Sequence, residues 1–268
     1  MNGYSIVVCG GLAPDPLQTL EPAPGPALKN ELLLPAVLDP WAAHALFEGA
    51  HLAKAVPGSK VWLVSLGPKA KLQQLMMSVA QKVIFELVAL DGPGGGFTDS
   101  GALAEVLAAA IEAIPALDRP RLILAGGWES ATRGAGTTMQ RVAERLGIIE
   151  QFQGVDQLTV QADGSFRILE RAEGGRHQVS ICEGPPVLLG WATGNLLEPP
   201  NNPQIGMMNM RGILPALQKA KPAAVTAGSL TFESVVLPKQ RRATRVEKNL
   251  TPDEIAREIV AWMDGEAQ

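Results

Sequence analysis

The chain has 268 residues, 46% hydrophobic and 19% charged, the composition of a globular protein long enough to bury a full core. Lys and Arg number 23 against 27 Asp and Glu, a formal charge of −4, which argues against a nucleic-acid binder with a basic face. Two cysteines give no disulfide framework, three scattered histidines give no zinc signature, and no apolar run reaches the ~20 residues of a membrane span.

The first residues lack a basic segment followed by a long apolar one, so the expectation is a soluble, cytoplasmic protein without a secretion signal. Ser5–Cys9 is a β-branched run ending in Gly10 and Gly11 and reads as a buried parallel strand. Residues 12–38, rich in Pro and Gly, predict a long irregular excursion. Asp39 is placed to cap a helix that has Pro40 at its first position. Trp41, Ala45, Leu46, Leu52 and Val56 give that helix a broad apolar face. KVWLVSL at 60–66 is a second buried strand, stopped by Gly67 and Pro68. A helix over 72–81, a strand over 84–90, a Gly-rich loop over 91–100 and an Ala/Leu-rich helix over 101–114 follow. A fourth strand over 122–125 and a helix over 138–146 complete the alternation. The predicted fold class is α/β, a doubly wound, Rossmann-like parallel sheet with right-handed crossovers.

After Gly147 the pattern alternates apolar and polar, with tight turns at Asp163-Gly164 and Gly174-Gly175. Residues 151–183 therefore predict an antiparallel hairpin or meander laid on the main sheet. Residues 185–189 return to a buried strand. A polar, Met-rich stretch over 200–213 reads as a loop, closed by Leu214-Pro215 and a short helix. Residues 222–249 lack periodicity and read as an extended C-terminal arm, with the basic run KQRRATR at 239–245 a solvated or partner-facing stretch. Thr251 with Glu254 three residues on is a capping box that opens a last helix, to about Met263. The expected division is an α/β domain over 1–221, including the hairpin 151–183 and a loop over 190–215, and an arm with its helix over 222–268.

Open parallel sheets bind ligands at the carboxyl ends of their strands. Here those ends are Cys9-Gly10-Gly11, Leu66-Gly67-Pro68 and Ala125-Gly126-Gly127, all permitting close approach to backbone. Residues 125–147 run from strand through a Gly- and hydroxyl-rich loop into a helix. Amides around 134–138 and the helix dipole suit a phosphate, with Thr137 and Thr138 as hydroxyl donors and Arg133 as a cation. The loop is neither a P-loop nor a Gly-x-Gly-x-x-Gly fingerprint, so nucleotide binding and a purely structural turn both stand. No Gly-x-Ser-x-Gly elbow occurs. Cys9 reads as a core thiol, His44 as a helix residue, Glu170 as a strand residue and Glu173 as a turn residue. Such a chain is expected to be no enzyme by itself, but to position a cofactor that carries the reaction.

The order Glu-Arg-x-x-Gly-Gly at 170–175, Pro-x-Val at 185–187, Leu-x-Glu-Pro at 196–199 and Leu-Pro-x-x-x-Lys-Ala-Lys at 214–221 resembles the signature of electron transfer flavoprotein β subunits. SIVVCGG, LDPWAAHALFEGAHL, VSLGP, the loop 126–137 and residues 235–245 fall in the same family order. The resemblance implies an adenine-nucleotide-binding domain paired with an electron transfer flavoprotein α subunit, which holds most of the FAD. It implies a bound AMP, with cofactor contacts at Cys9, Asp39, Pro40, Trp41, Ala42, Leu66, Gly126, Gly127, Ser130, Thr132, Arg133, Gly134, Ala135, Gly136 and Thr137. Trp128, Ala131, Arg133 and Ala135 replace residues of the family's loop, which leaves AMP, a second FAD and no nucleotide as alternatives. Partner docking is implied at Leu196, Leu197, Glu198 and Pro199, and Met207 and Met208 read as an adaptable contact surface. The implied partners are the α subunit, a flavin-dependent dehydrogenase as electron donor and a quinone reductase or similar acceptor, with no nucleic acid and no membrane insertion. The alternatives are a stand-alone adenine-nucleotide-binding module of the universal-stress type, and a hydrolase or ligase, for which the pyrophosphate loop is missing.

Overall fold

β1, Ser5–Cys9, is buried along its whole length, and its side chains alternate between two cores. Ile6 and Val8 face one, Val7 and Cys9 the other, so both faces of the sheet are covered. The computed structural model describes residues 3–24, 28–94, 98–132, 134, 136–225, 233–234, 236 and 246–265. β2 (Leu12–Pro14) and β3 (Ala36–Leu38) form a small antiparallel pair, a regular feature inside the excursion expected to be irregular. α1 (Pro40–Ala55) starts at the Asp39 cap, and β4 (Lys60–Gly67) pairs in parallel with β1. α2 (Lys69–Val79) leads to β5 (Glu86–Asp91), two residues later than expected because Ile84 is exposed. α3 (Ser100–Glu112), β6 (Leu122–Gly127) and α4 (Thr138–Arg145) follow, and β6 lies on the other side of β1.

β7 (Glu150–Val160), β8 (Phe166–Ala172) and β9 (Arg176–Cys182) form the meander, continuous with the sheet rather than stacked on it. β10 (Val187–Trp191) inserts between β6 and β7, parallel to both. α5 (Pro203–Gln218), β11 (Lys221–Pro222) and α6 (Pro252–Met263) end the described chain. The sheet order is β11-β5-β4-β1-β6-β10-β7-β8-β9, parallel from β11 to β7 and antiparallel beyond. The fold is thus α/β and Rossmann-like. Leu46 of α1, Leu72 and Met76 of α2 and Ile213 and Leu217 of α5 fill one core. Leu107 and Ile111 of α3 and Val142 of α4 fill the other.

The main departure from expectation lies at 200–213. That stretch is no loop but most of the sixteen-residue α5. Asn202, which suggested irregular chain, is its N-cap, accepting from the Gln204 amide at 3.0 Å, and Pro203 takes the first helical position. Asn209 is 5% exposed and donates to the Ala80 and Val83 carbonyls, each at 2.7 Å. The bends that hid this helix from the pattern are therefore a cap and a buried polar anchor.

The arm begins in the sheet: Lys221 and Pro222 pair with β5, and Ala223 and Val225 are buried. Its basic run, 239–245, lies outside the described residues. α6 has the expected capping box at Thr251 and Glu254, and none of its residues is buried. Among the described residues no helix is long and apolar enough to cross a membrane.

Candidate functional site

From β1 the chain builds β4 and β5 to one side, then crosses back to β6 and β10 on the other. Between β1 and β6 the winding reverses, and the diverging connections leave a crevice at the strands' carboxyl ends. A cavity of about 120 Å³ opens there. Cys9, Gly10, Gly11 and Leu12 form one wall, and Gly127, Glu129, Ser130 and Thr132 form the facing wall. α1 contributes Asp39 and Ala42, β4 contributes Val64 and Leu66, and α3 contributes Leu103 and Leu107. The start of α4 closes the site with Gly136, Thr137, Thr138 and Met139.

Local chemistry explains this geometry. The Ser65 hydroxyl, fully buried, donates to the Gly10 carbonyl at 2.7 Å and fixes the ends of β4 and β1 to each other. Asp39 links two elements: the Trp41 amide donates to one carboxylate oxygen at 3.2 Å, and the Ala131 amide to the other at 2.8 Å. Burial raises the Asp39 pKa above its ordinary value, the amides of Ala131, Trp41 and Ala42 oppose the rise, and the Glu129 charge adds to it. At Gly127 a Cβ would stand 2.5 Å from the Glu129 carbonyl oxygen and 2.7 Å from the Trp41 Cβ, so only glycine lets α1 and the 128–132 loop close together. Burial pushes the Cys9 thiol up to about 12, so it is a neutral, apolar part of the wall at neutral pH.

Val64, Leu66, Leu103, Leu107 and Met139 give the cavity apolar sides suited to a flat base, and threonine hydroxyls give it a polar end. Thr137, the N-cap of α4, makes no side-chain cap bond, so the helix presents its first amides to that end. One phosphate suits this end. The carboxylates of Asp39 and Glu129 in the lining oppose a longer phosphate chain.

Of the cofactor contacts expected from sequence, Cys9, Asp39, Ala42, Leu66, Gly127, Ser130, Thr132, Gly136 and Thr137 border the cavity. Pro40 is exposed, Trp41 packs over Gly127, and Met139 fills the space in front of Gly126. Gly134, whose amide donates to the Ser130 carbonyl at 2.8 Å, does not itself line the cavity. Arg133 and Ala135 lie outside the described residues. Sequence reasoning missed Thr98, Leu103, Leu107 and Glu129. The i, i+4 spacing of Leu103 and Leu107, just after the Asp99 cap, was the available signal.

The segment after β10 forms a second region. Leu197 is 92% exposed, Leu196 and Pro199 are half-buried, and Glu198 pairs with Lys82 at 2.6 Å. Met207 and Met208, both exposed, project from α5. The Glu-Arg pair of the hairpin is structural. Glu170 accepts from the Gln153 amide at 3.1 Å and the Ser180 hydroxyl at 2.6 Å. Arg171 grips Asp156 through two nitrogens, at 3.1 and 2.8 Å, and also donates to the Thr193 hydroxyl. His177 meets the same carboxylate at 3.0 Å.

Two proteins from different strains of Rhodopseudomonas palustris, each described as tRNA (guanine-N(1)-)-methyltransferase, are 29% identical to this chain over 185 residues. The match covers 66% of this chain and 65% of theirs, so the chain spans just under two thirds of the relatives' length. Residues 31–233 match the electron transfer flavoprotein domain, which takes in the large sheet apart from β1, the cavity walls from Asp39 onward and the segment after β10. The chain belongs to the electron transfer flavoprotein family.

Proposed function

We propose that this chain is the β subunit of a heterodimeric electron transfer flavoprotein, with AMP in the switch-point cavity and FAD held mostly by an α subunit. The observation that carries the reading is the switch-point cavity, with apolar sides, threonine hydroxyls and an uncapped helix start, in a chain of the electron transfer flavoprotein family. FAD, when bound, takes up and releases the electrons. The route runs from a flavin-dependent dehydrogenase to a quinone reductase or similar acceptor. Residues up to Val225 belong to the body, in which Ala223 and Val225 are buried, and α6 contacts the α subunit. The apolar face of α6, with Ile255, Ile259 and Trp262 one turn apart and all exposed, supports this division. Leu197, Met207 and Met208 offer exposed apolar anchors for the donor dehydrogenase.

The methyltransferase description of the two relatives has no support in the charge of −4 or in the lining of the cavity. The test is to co-express the chain with its α partner, purify the complex and quantify the extracted nucleotides. One FAD and one AMP per heterodimer are expected. Adenine nucleotide limited to that of one FAD would refute the AMP assignment, and a lone monomer that ignores the α subunit would refute the subunit assignment.

A further inference from the structure

Residues 193–202 contain no helix or strand, yet they are tied to the body at Thr193, Asn195, Leu196, Glu198 and Asn202. Thr193 is held by Asp156, to which its hydroxyl donates at 3.3 Å, and by Arg171. Glu198 pairs with Lys82, and the Asn202 amide donates to the Gln81 carbonyl at 2.9 Å. The centre of the stretch is held by one side chain of α1. A single oxygen of Glu48 accepts from the Asn195 amide at 3.0 Å and the Leu196 amide at 3.3 Å. Gly194, with φ +64°, makes the approach possible: a Cβ there would lie 2.6 Å from that same oxygen. Two successive amides converging on a carboxylate form a compact anion nest, stronger than neutral hydrogen bonds.

We propose that Glu48 is the positioning residue of the docking segment: it fixes 194–196 so that Leu197 stands out, ready for the donor protein. This rests on the reading above that Leu197 docks the donor. An exposed leucine on a pinned backbone loses little conformational freedom on binding, whereas the same leucine on a free loop reduces affinity by the fraction of time the loop is competent. Glu48 does not line the nucleotide cavity, so nucleotide content per complex is measured alongside and is expected to be unchanged.

The experiment uses the complete α/β complex. Glu48→Ala removes the acceptor while keeping a good helix former, and Glu48→Gln keeps an acceptor oxygen. Amide exchange at Asn195 and Leu196 is measured by mass spectrometry. Reduction is followed with a panel of flavin-dependent dehydrogenases, each reduced by its own substrate, the fastest serving as probe. In Glu48→Ala the two amides should exchange about tenfold faster, the protection expected of a charge-assisted bond pair at a partly exposed site. Probe-driven reduction should slow by a similar factor, Glu48→Gln should restore most of both, and adding Leu197→Ala to Glu48→Ala should cost less than Leu197→Ala costs alone. Unchanged exchange in Glu48→Ala overturns the proposal whatever the kinetics. Faster exchange with normal reduction, while Leu197→Ala alone is slow, also overturns it and leaves the docking reading intact. Normal reduction in Leu197→Ala itself removes the docking reading and the proposal with it.

Discussion

Gly11 and Gly127 border the same cavity, yet a side chain would meet opposite surroundings at each. At Gly11 a Cβ finds nothing within 4 Å, whereas at Gly127 it runs into the Glu129 carbonyl. Gly127→Ala should therefore destabilise the fold by about 1–3 kcal/mol, as overpacking does, which urea unfolding will show. Gly11→Phe should leave unfolding unchanged and lower the nucleotide recovered per chain to about a tenth, a loss of ~1.4 kcal/mol. Gly136 is a poorer probe, because its φ of +62° and the nearby Trp128 carbonyl at 2.9 Å make any substitution there a test of backbone strain. Asp156 gives a pH test. Burial pushes its carboxyl up, but bonds from Arg171 and His177, the Arg171 charge and the Thr193 amide outweigh this, and its pKa lies below the ordinary value. Its contribution is thus present above the ordinary carboxylate pKa of about 3.9 and is lost as pH falls through the lower folded value. The unfolding midpoint of the wild type should fall more steeply below about pH 4 than that of Asp156→Asn. Asp39, with its pKa raised, has the opposite sign: its contribution is present below the ordinary value and fades as pH rises through the folded one.

At the scale of elements, α5 shows where the sequence misleads. Pro203, Gly206 and Asn209 are of the types that usually mark loops, and here they serve a helix: a first position, a close approach to Gln81 and a buried anchor. Only the packing partner, the turn between α2 and β5, reveals this, and that turn lies over a hundred residues away in the chain. Asn209→Ala should cost roughly 2–3 kcal/mol, since two buried carbonyls lose their donor, and the loss is measured by denaturant unfolding. The strands were legible because buried β-branched runs bounded by glycine admit few other readings, as at Ser5–Cys9. α6 was equally legible from its capping box, but its exposure was not, because an apolar stripe in sequence does not say what it faces. Twelve residues without tertiary support are marginal as a helix. Ile259→Asp should therefore leave the unfolding of the body unchanged while weakening co-elution with the α subunit on size exclusion by tenfold or more, about 1.4 kcal/mol.

At the scale of the whole molecule, the alternation of strands and helices gave away the architecture, and the small residues at the ends of β1 and β6 gave away half of the candidate site. Of the rest, the hydroxyl-rich loop before α4 marked Thr137 and Thr138, while Leu103 and Leu107 of α3 and Met139 of α4 look like ordinary core residues in the sequence. Their role follows from sheet order, with β1 and β6 side by side. The same adjacency has a consequence for the order in which the protein can assemble. The walls at 9–12 and 127–139 are separated by a stretch on the order of a hundred residues, so the cavity cannot exist until that whole stretch has folded back on itself. A molecule seated there is a late, reversible cross-link across that long closure. It stabilises the native chain in proportion to the logarithm of its own concentration. The lifetime of this chain in a cell would then follow the supply of whatever molecule fills the cavity, independently of whether any electron passes through it.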